Sequence, residues 1–278
     1  MAEPDFSIVT PSFQSMPWLP LCARSIGDQE GLVVEHIVQD ARSSDGTVAW
    51  LEANPRIKAR VEPDGGMYDA INRGMARATG RLVAYLNSDE QYLPSTLRRV
   101  TEFFDRHPDT DMLFCSAVVV DSEGRPLAIR GATMPSELYV RTCMFPLLTC
   151  SMFLRRSVLD RVKPLFDTRY RVVGDAEFFL RAKTLGLKMA TQQWPSSVFL
   201  DNGANLGLSS GKEMPLLSRD LPRIMVKLSP VWRRLFQFRR LCLGLYRPRR
   251  VSVRIYTQQT PLERSAREAV VSERWVGR

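Results

Sequence analysis

Two short polar blocks hold the residues best suited to chemistry. The first is Glu62-Pro63-Asp64-Gly65-Gly66-Met67-Tyr68-Asp69-Ala70-Ile71-Asn72-Arg73-Gly74, and the second is Asn87-Ser88-Asp89-Glu90. The second block follows 81–86, an apolar run rich in β formers, so it stands at the end of a buried strand. In open α/β sheets, ligands bind beyond the carboxyl ends of the strands. A carboxylate placed there suits a hard divalent ion. Mg²⁺ or Mn²⁺ takes oxygen ligands, commonly one or two carboxylates with phosphate and water completing the shell. Such an ion acts as a Lewis acid toward a departing diphosphate. Asp89 is the first candidate ligand and Glu90 the second. A plain polar turn is the competing reading of the same four residues.

The first block shifts that balance. Met67, Ala70, Ile71, Met75 and Ala78 recur at helical spacing, which predicts a helix over 67–79 with that face buried. Pro63-Asp64-Gly65-Gly66 is the loop that enters it. Asp64 and Gly66 would stand beside the ligand, where a helix N-terminus favours an anion. Tyr68 and Asn72 are four apart and share a face.

The elements that must position these blocks alternate along the chain. Strands are expected at 6–10, 33–38, 57–61 and 81–86, with helices at 18–27, from Thr47, at 67–79 and from Pro94 to Arg106. Ser44 or Asp45 can cap the second helix. An apolar strand over 111–120 turns at Glu123-Gly124 into 127–130, a hairpin. Beyond it come a strand at 149–154, a helix at 175–185 closed by Gly186, and a strand at 189–194. Alternation of this kind argues a largely parallel sheet covered on both faces.

Five segments in order resemble a family 2 glycosyltransferase of the GT-A fold, in the subgroup found in bacterial polysaccharide clusters. They are Thr10-Pro11-Ser12-Phe13, the run from Gln39-Asp40 to Asp45-Gly46-Thr47, the Glu62 block, Leu86-Asn87-Ser88-Asp89, and Gly174-Asp175-Ala176-Glu177. The resemblance covers about 5–200 and implies an α/β fold with a mostly parallel central sheet flanked by helices. It implies a domain at 1–210, with a donor half at 1–120 and an acceptor half at 121–210. It also implies an inverting, metal-dependent transfer from a nucleoside diphosphate sugar, UDP-sugar favoured, to a lipid-linked or growing saccharide acceptor. Thr10, Pro11 and Asp40 would hold the nucleoside, with Asp64 near it and Ser12, Gly66, Tyr68, Asn72, Asn87 and Ser88 around the donor. Asn87-Ser88-Asp89 stands where relatives carry Asp-x-Asp, leaving Asp89 as the metal ligand. Asp175 would be the base that takes the acceptor proton. Read from the residues alone, it is equally a first-turn acid favoured by the helix dipole. Glu177 then has Arg181, four residues on, as an ion-pair partner. Two rival functions stand beside this one. A sugar nucleotidyltransferase would want a glycine-rich basic loop after the first strand, and Thr10-Pro11-Ser12-Phe13-Gln14 has neither feature. A non-catalytic binding or scaffold protein could keep the same fold.

Charge and cysteines bound the rest. The chain carries +9, but residues 219–254 alone carry +10, so the remainder sums to −1. The basicity therefore belongs to the tail, which weakens a nucleic-acid reading for the body. The tail, 211–278, reads as a basic helical extension. Val231, Leu235, Phe238, Cys242 and Leu245 form an apolar stripe, with Arg233, Arg234, Arg240 and Arg247 opposite. Such a helix can lie in an anionic membrane interface, or pack on the domain. Five scattered cysteines with no CxxC pair suggest neither a zinc site nor a disulfide framework. No secretory signal or spanning segment is read, so the expected place is the cytoplasm, peripheral on the inner face of the membrane. His36 and His107 are expected to be structural.

Overall fold

The computed structural model describes residues 3–142, 145–201, 250–257 and 267–272. Four parallel strands build the first half of the sheet: β1 (Phe6–Ser12), β2 (Val34–Asp40), β3 (Lys58–Val61) and β4 (Leu82–Tyr85). Their connections are helices: α1 (Trp18–Gly27), α2 (Thr47–Glu52) and α3 (Met67–Met75). β1 lies between β2 and β4, so the chain reverses direction across the sheet beside its first strand. A crevice opens at such a reversal, at the carboxyl ends of the strands.

The second half of the sheet is mixed rather than parallel. After β5 (Gln91–Tyr92) and α4 (Thr96–Arg106), β6 (Met112–Val120) forms a hairpin with β7 (Pro126–Arg130). α5 (Glu137–Thr142) follows, then β8 (Met152–Arg155) and α6 (Val158–Arg161), and α7 (Gly174–Thr184) leads into β9 (Met189–Leu200). β8 runs antiparallel to both β4 and β6, whereas β9 runs parallel to β6 and antiparallel to β5. The order across the sheet is β3-β2-β1-β4-β8-β6-β9-β5, with β7 beside β6. The parallel expectation thus describes the donor half. In the other half the antiparallel strand β8 is inserted where the alternating pattern suggested continuation, and β7 and β5 run antiparallel to β6 and β9.

Both faces of the sheet are covered, which explains the near-continuous apolar strands. Val9, Val83, Tyr85 and Phe114 face α3 and α7. Their neighbours in the alternating register, Ile8, Ala84 and Leu113, face α1 and α4. Full burial of each such side chain stabilises by about 1.5–3 kcal/mol. α3 sits tight on β1 because Gly74 is in its buried face: a Cβ there would stand 2.3 Å from Val9 Cγ1. α3 ends at Met75, earlier than the spacing suggested: the Arg77 and Ala78 amides donate only three residues back, at 3.0 and 3.1 Å, and the Thr79 and Gly80 amides donate to Ser7 Oγ instead. α7 ends as expected, with Gly186 beyond it in the left-handed region at φ +69°.

The tail departs from the helical expectation where it is described. Residues Arg250–Ile255 (β10) and Arg267–Ser272 (β11) form an antiparallel pair. The predicted amphipathic helix at 231–246 lies outside the described residues. Among those described, no helix is long and apolar enough to cross a membrane.

Candidate active site

A cleft of about 860 Å³ opens over the carboxyl ends of β1 and β4. The end of β1 supplies Pro11 and Ser12, the loop into α3 supplies Asp64 and Gly66, and α3 supplies Tyr68. The acidic tip after β4 supplies Asn87, Ser88, Asp89 and Glu90, and the first turn of α7 supplies Asp175 from the facing side. Asp89 and Asp175 therefore open into one cavity rather than two.

Three of the sequence-predicted site residues are not in its wall. Thr10 is fully buried, with its Oγ1 3.0 Å from His36 Nε2 and 3.9 Å from Cys22 Sγ. Asp40 is fully buried as well. It accepts from Ser12 Oγ and Ser43 Oγ, each at 2.7 Å, and from the Ser43 amide at 2.8 Å. These donors turn its carboxylate toward the neighbouring loop, so its place is to fix Ser12 and Ser43. Asn72 is spent on the backbone of Phe166, donating to its carbonyl at 2.7 Å and accepting from its amide at 2.9 Å. It ties α3 to the segment that precedes α7. A short polar side chain at a strand or helix end satisfies whichever backbone is nearest, and sequence spacing does not reveal which that is.

The tip itself is tightly wired. The Asn87 amide donates to Glu90 Oε2 at 2.8 Å, the Glu90 amide donates to the Asn87 carbonyl at 3.0 Å, and Ser15 Oγ meets Ser88 Oγ at 3.0 Å. Burial and the adjacent Asp89 push the Glu90 carboxyl up, and burial pushes Asp89 up in turn. Two neighbouring carboxylates in a dry cleft disfavour double ionisation. Asn87 Oδ1 is buried without a hydrogen-bond partner in the protein. An orphaned amide oxygen beside a half-buried carboxylate is a donor set of hard oxygens, and it fits Mg²⁺ or Mn²⁺. Among the described residues no three acids, histidines or cysteines converge. The protein would thus supply few ligands and leave the rest to phosphate and water. His36 is outside this chemistry, since burial pushes it down to about 4.

Asp175 sits in the first turn of α7, and its Oδ1 accepts from the Ala176 amide at 2.8 Å. Burial raises its carboxyl to about 6, while Ala176 and the guanidinium of Arg130 pull the other way. The helix that carries it is braced from outside: Arg181 clamps Glu177 at 2.8 and 3.0 Å and donates to the carbonyls of Pro164 and Leu165. Tyr68 shapes the floor, donating to the Val172 carbonyl at 3.1 Å and packing against Phe166 with ring centroids 4.9 Å apart. Gly66 enters α3 at φ +106°, and a Cβ there would meet the guanidinium of Arg171. Asp64 accepts from the Gly66 amide at 2.8 Å and is itself pushed up by burial. The N-cap position of α2 is Gly46 rather than Ser44 or Asp45; Asp45 accepts from the Thr47 amide and hydroxyl at 3.1 and 2.6 Å in the turn just before it.

Sequence reasoning missed one wall of the cleft. Phe145, Leu147, Leu148 and Phe199 make an apolar side, and Arg130 is the single cation in the described lining. Arg130 ends β7, so the hairpin signal found its strand but not its destination. Leu148 precedes a short 3₁₀ turn at Thr149–Ser151, so the strand expected over 149–154 begins only at Met152.

The open sheet, with an acidic tip beyond β4 faced across the cleft by a carboxyl that burial raises to about 6, has the architecture of a GT-A fold. Residues 7–162 match the model of the Glycosyl transferase family 2, and the chain belongs to that family. It is 32% identical over 190 residues to a PGL/p-HBAD biosynthesis glycosyltransferase of Mycobacterium bovis, covering 65% of this chain and 70% of the relative. It is 30% identical over 177 residues to the succinoglycan biosynthesis protein ExoO of Rhizobium meliloti, covering 60% and 49%. Among solved structures, S. aureus TarS 1-349 in complex with UDP-GlcNAc is similar with a TM-score of 0.57 at 17% identity, covering 80% of this chain and 68% of that one. Another structure of the same TarS fragment is covered over 60% of its length. The mannosyltransferase PcManGT of Pyrobaculum calidifontis, in complex with GDP-Man and Mn²⁺, is similar with a TM-score of 0.54 at 16% identity, covering 88% and 71%. Membership makes the chain a transferase and favours glycosyl transfer over the nucleotidyltransferase and scaffold readings.

Proposed function

We propose that this chain is an inverting, metal-dependent hexosyltransferase of cell-surface polysaccharide assembly. It moves a sugar from a nucleoside diphosphate donor, a UDP-sugar in first place, to a lipid-linked or growing saccharide acceptor. The observation that carries the reading is that Asp89 and Asp175 line one cleft, large enough for a nucleotide sugar. Asp89, with Asn87 Oδ1 beside it, would hold the metal, which as a Lewis acid offsets charge developing on the diphosphate. Ser12 and Asp64 line the nucleoside side, and Gly66 lets the backbone approach the ligand at the start of α3. Asp175 accepts the proton of the acceptor hydroxyl as that oxygen attacks the anomeric carbon. The apolar wall at 145–148 excludes water from the reacting atoms and fits an acceptor with an apolar portion. Bound UDP-GlcNAc in TarS and bound GDP-Man in PcManGT support a nucleotide-sugar donor. The +10 stretch at 219–254 would hold the enzyme at the inner leaflet of the membrane, where a lipid-linked acceptor is presented.

A thermal-shift screen of UDP-, GDP- and dTDP-sugars, with and without Mn²⁺, tests the donor site, because a ligand that binds only the folded state raises its apparent stability. One donor should shift the wild type in the presence of metal, and Asp89→Asn should abolish the metal-dependent part. If no nucleotide sugar shifts the wild type under either condition, the donor assignment is wrong.

A further inference from the structure

The chain returns from its tail to the domain at 255–257, and it lands beside the acidic tip. The Gln91 side chain, almost fully buried, forms a closed pair with the Tyr256 backbone: Nε2 donates to the Tyr256 carbonyl at 2.9 Å, and Oε1 accepts from the Tyr256 amide at 2.9 Å. Gln91 is the residue immediately after Glu90. Ile255 is buried among Leu93, Val118, Ile129 and Val198, a cluster against which Trp18 also packs. Trp18 in turn lines the cleft. Thr257 is buried against Gly124 at the turn of the β6–β7 hairpin, where a Cβ would stand 2.4 Å from Thr257 Cγ2. The Tyr256 hydroxyl hydrogen-bonds Asp28 at the end of α1.

We propose that residues 255–257 are a clasp that completes the donor site, with Gln91 as the positioning residue through which it holds the acidic tip. The inference rests on the donor reading of Asp89 given above. The tip needs an external hold because the strand behind it is short. The strand that anchors the turn, β5, is only two residues long; among the described residues its strand pairing is with Ser197 and Val198 of β9 alone, and the Tyr92 amide donates to Ser25 Oγ at 3.0 Å. A two-residue ladder fixes little by itself. The Gln91–Tyr256 pair supplies, through a side chain, the hydrogen bonding that a further strand would supply through its backbone. Ile255 anchors the clasp to the same apolar cluster that supports Trp18, so the clasp and the cleft wall are fixed together.

The experiment uses the full chain. Gln91→Leu removes both hydrogen bonds at similar volume, and Ile255→Ala loosens the clasp from its apolar end without touching the tip. Each should raise the donor KM on the order of tenfold, since small misplacements of a binding group are costly, with a smaller change in kcat and in the KM for acceptor. Nucleoside diphosphate affinity in the presence of Mn²⁺ should fall by the same factor, and Gln91→Asn should restore less than the native residue because its amide is one methylene short. The double variant should be less than multiplicative, as expected of two changes in one coupled unit. If wild type binds the nucleoside diphosphate and Gln91→Leu binds it equally well with an unchanged donor KM, the clasp is refuted while the donor site stands. If wild type does not bind it at all, both readings fall. A lowered melting temperature with unchanged donor KM in both single variants would make 255–257 a structural anchor only, and would equally refute the proposal.

Discussion

A carboxyl group held up to about 6 by burial can act as a base only above that pH. Asp175 is such a group, so kcat/KM should rise with pH through an acid limb near 6 and level off above it. Asp175→Asn should lose on the order of 10² or more in kcat while leaving donor affinity in place. The same shift has a second consequence, for stability. The unfolded carboxyl titrates near 3.8 and the folded one near 6. Below the lower value both states are protonated and the shift contributes nothing to stability. Between the two values the unfolded chain ionises while the folded one keeps its proton, so stability falls with rising pH, by at most about 3 kcal/mol, and levels off above the upper value. Asp175→Asn removes that loss. Its melting temperature should therefore exceed that of wild type at pH 8 and match it near pH 3.5, as followed by calorimetry. A variant less stable than wild type at pH 8 would show that the carboxylate is held by favourable contacts and is no poised base.

At the scale of elements, the site depends on α3 being pressed against β1. Gly74 makes that approach possible, and Gly74→Ala would drive a methyl group into Val9 Cγ1 at 2.3 Å. Overpacking of this kind costs about 1–3 kcal/mol, against which the better helix propensity of alanine, about 1 kcal/mol, is insufficient. Denaturant unfolding should show a net loss, and an unchanged midpoint would mean that α3 can slide without penalty. The helical period of 67–75 and the apolar runs of β1 and β4 were legible in the sequence because each element is buried against neighbours close in the chain. The acidic tip was legible for the same reason, since it follows its strand directly. What was not legible came from distant pairing. Nothing local says that β8 would run antiparallel between β4 and β6, or that β9 would continue past Trp194 to Leu200. Thr10, Asp40 and Asn72 have the right types at the right ends of their elements, yet each is satisfied by a partner chosen in three dimensions: His36, Ser43 and Phe166. Arg130 reaches the cleft for the converse reason, that a hairpin end far along the chain folds back over it.

At the scale of the whole molecule, charge is divided between a near-neutral catalytic body and a tail that carries the excess. The stretch 219–254 holds +10 while the rest of the chain sums to −1, so attraction to an anionic surface would act on the tail and orient the body behind it. Deleting the tail is a poor way to test this, because it would also remove Tyr256 from Gln91. Neutralising four arginines in the full chain, Arg233, Arg234, Arg239 and Arg240 to Gln, changes the charge and leaves 255–257 in place. Each basic residue near an anionic surface contributes about 1 kcal/mol, so the four together should weaken binding to phosphatidylglycerol vesicles by up to about a thousandfold. Binding by wild type should also fall steeply between 0.1 and 0.5 M salt, because the attraction is screened over a distance of about 10 Å or less in that range. Transfer to a water-soluble acceptor analogue should be unchanged by the four substitutions, whereas transfer to an acceptor embedded in anionic vesicles should drop with the binding. Equal sedimentation of wild type and variant with the vesicles would remove the membrane from the account and assign the basic tail to another partner.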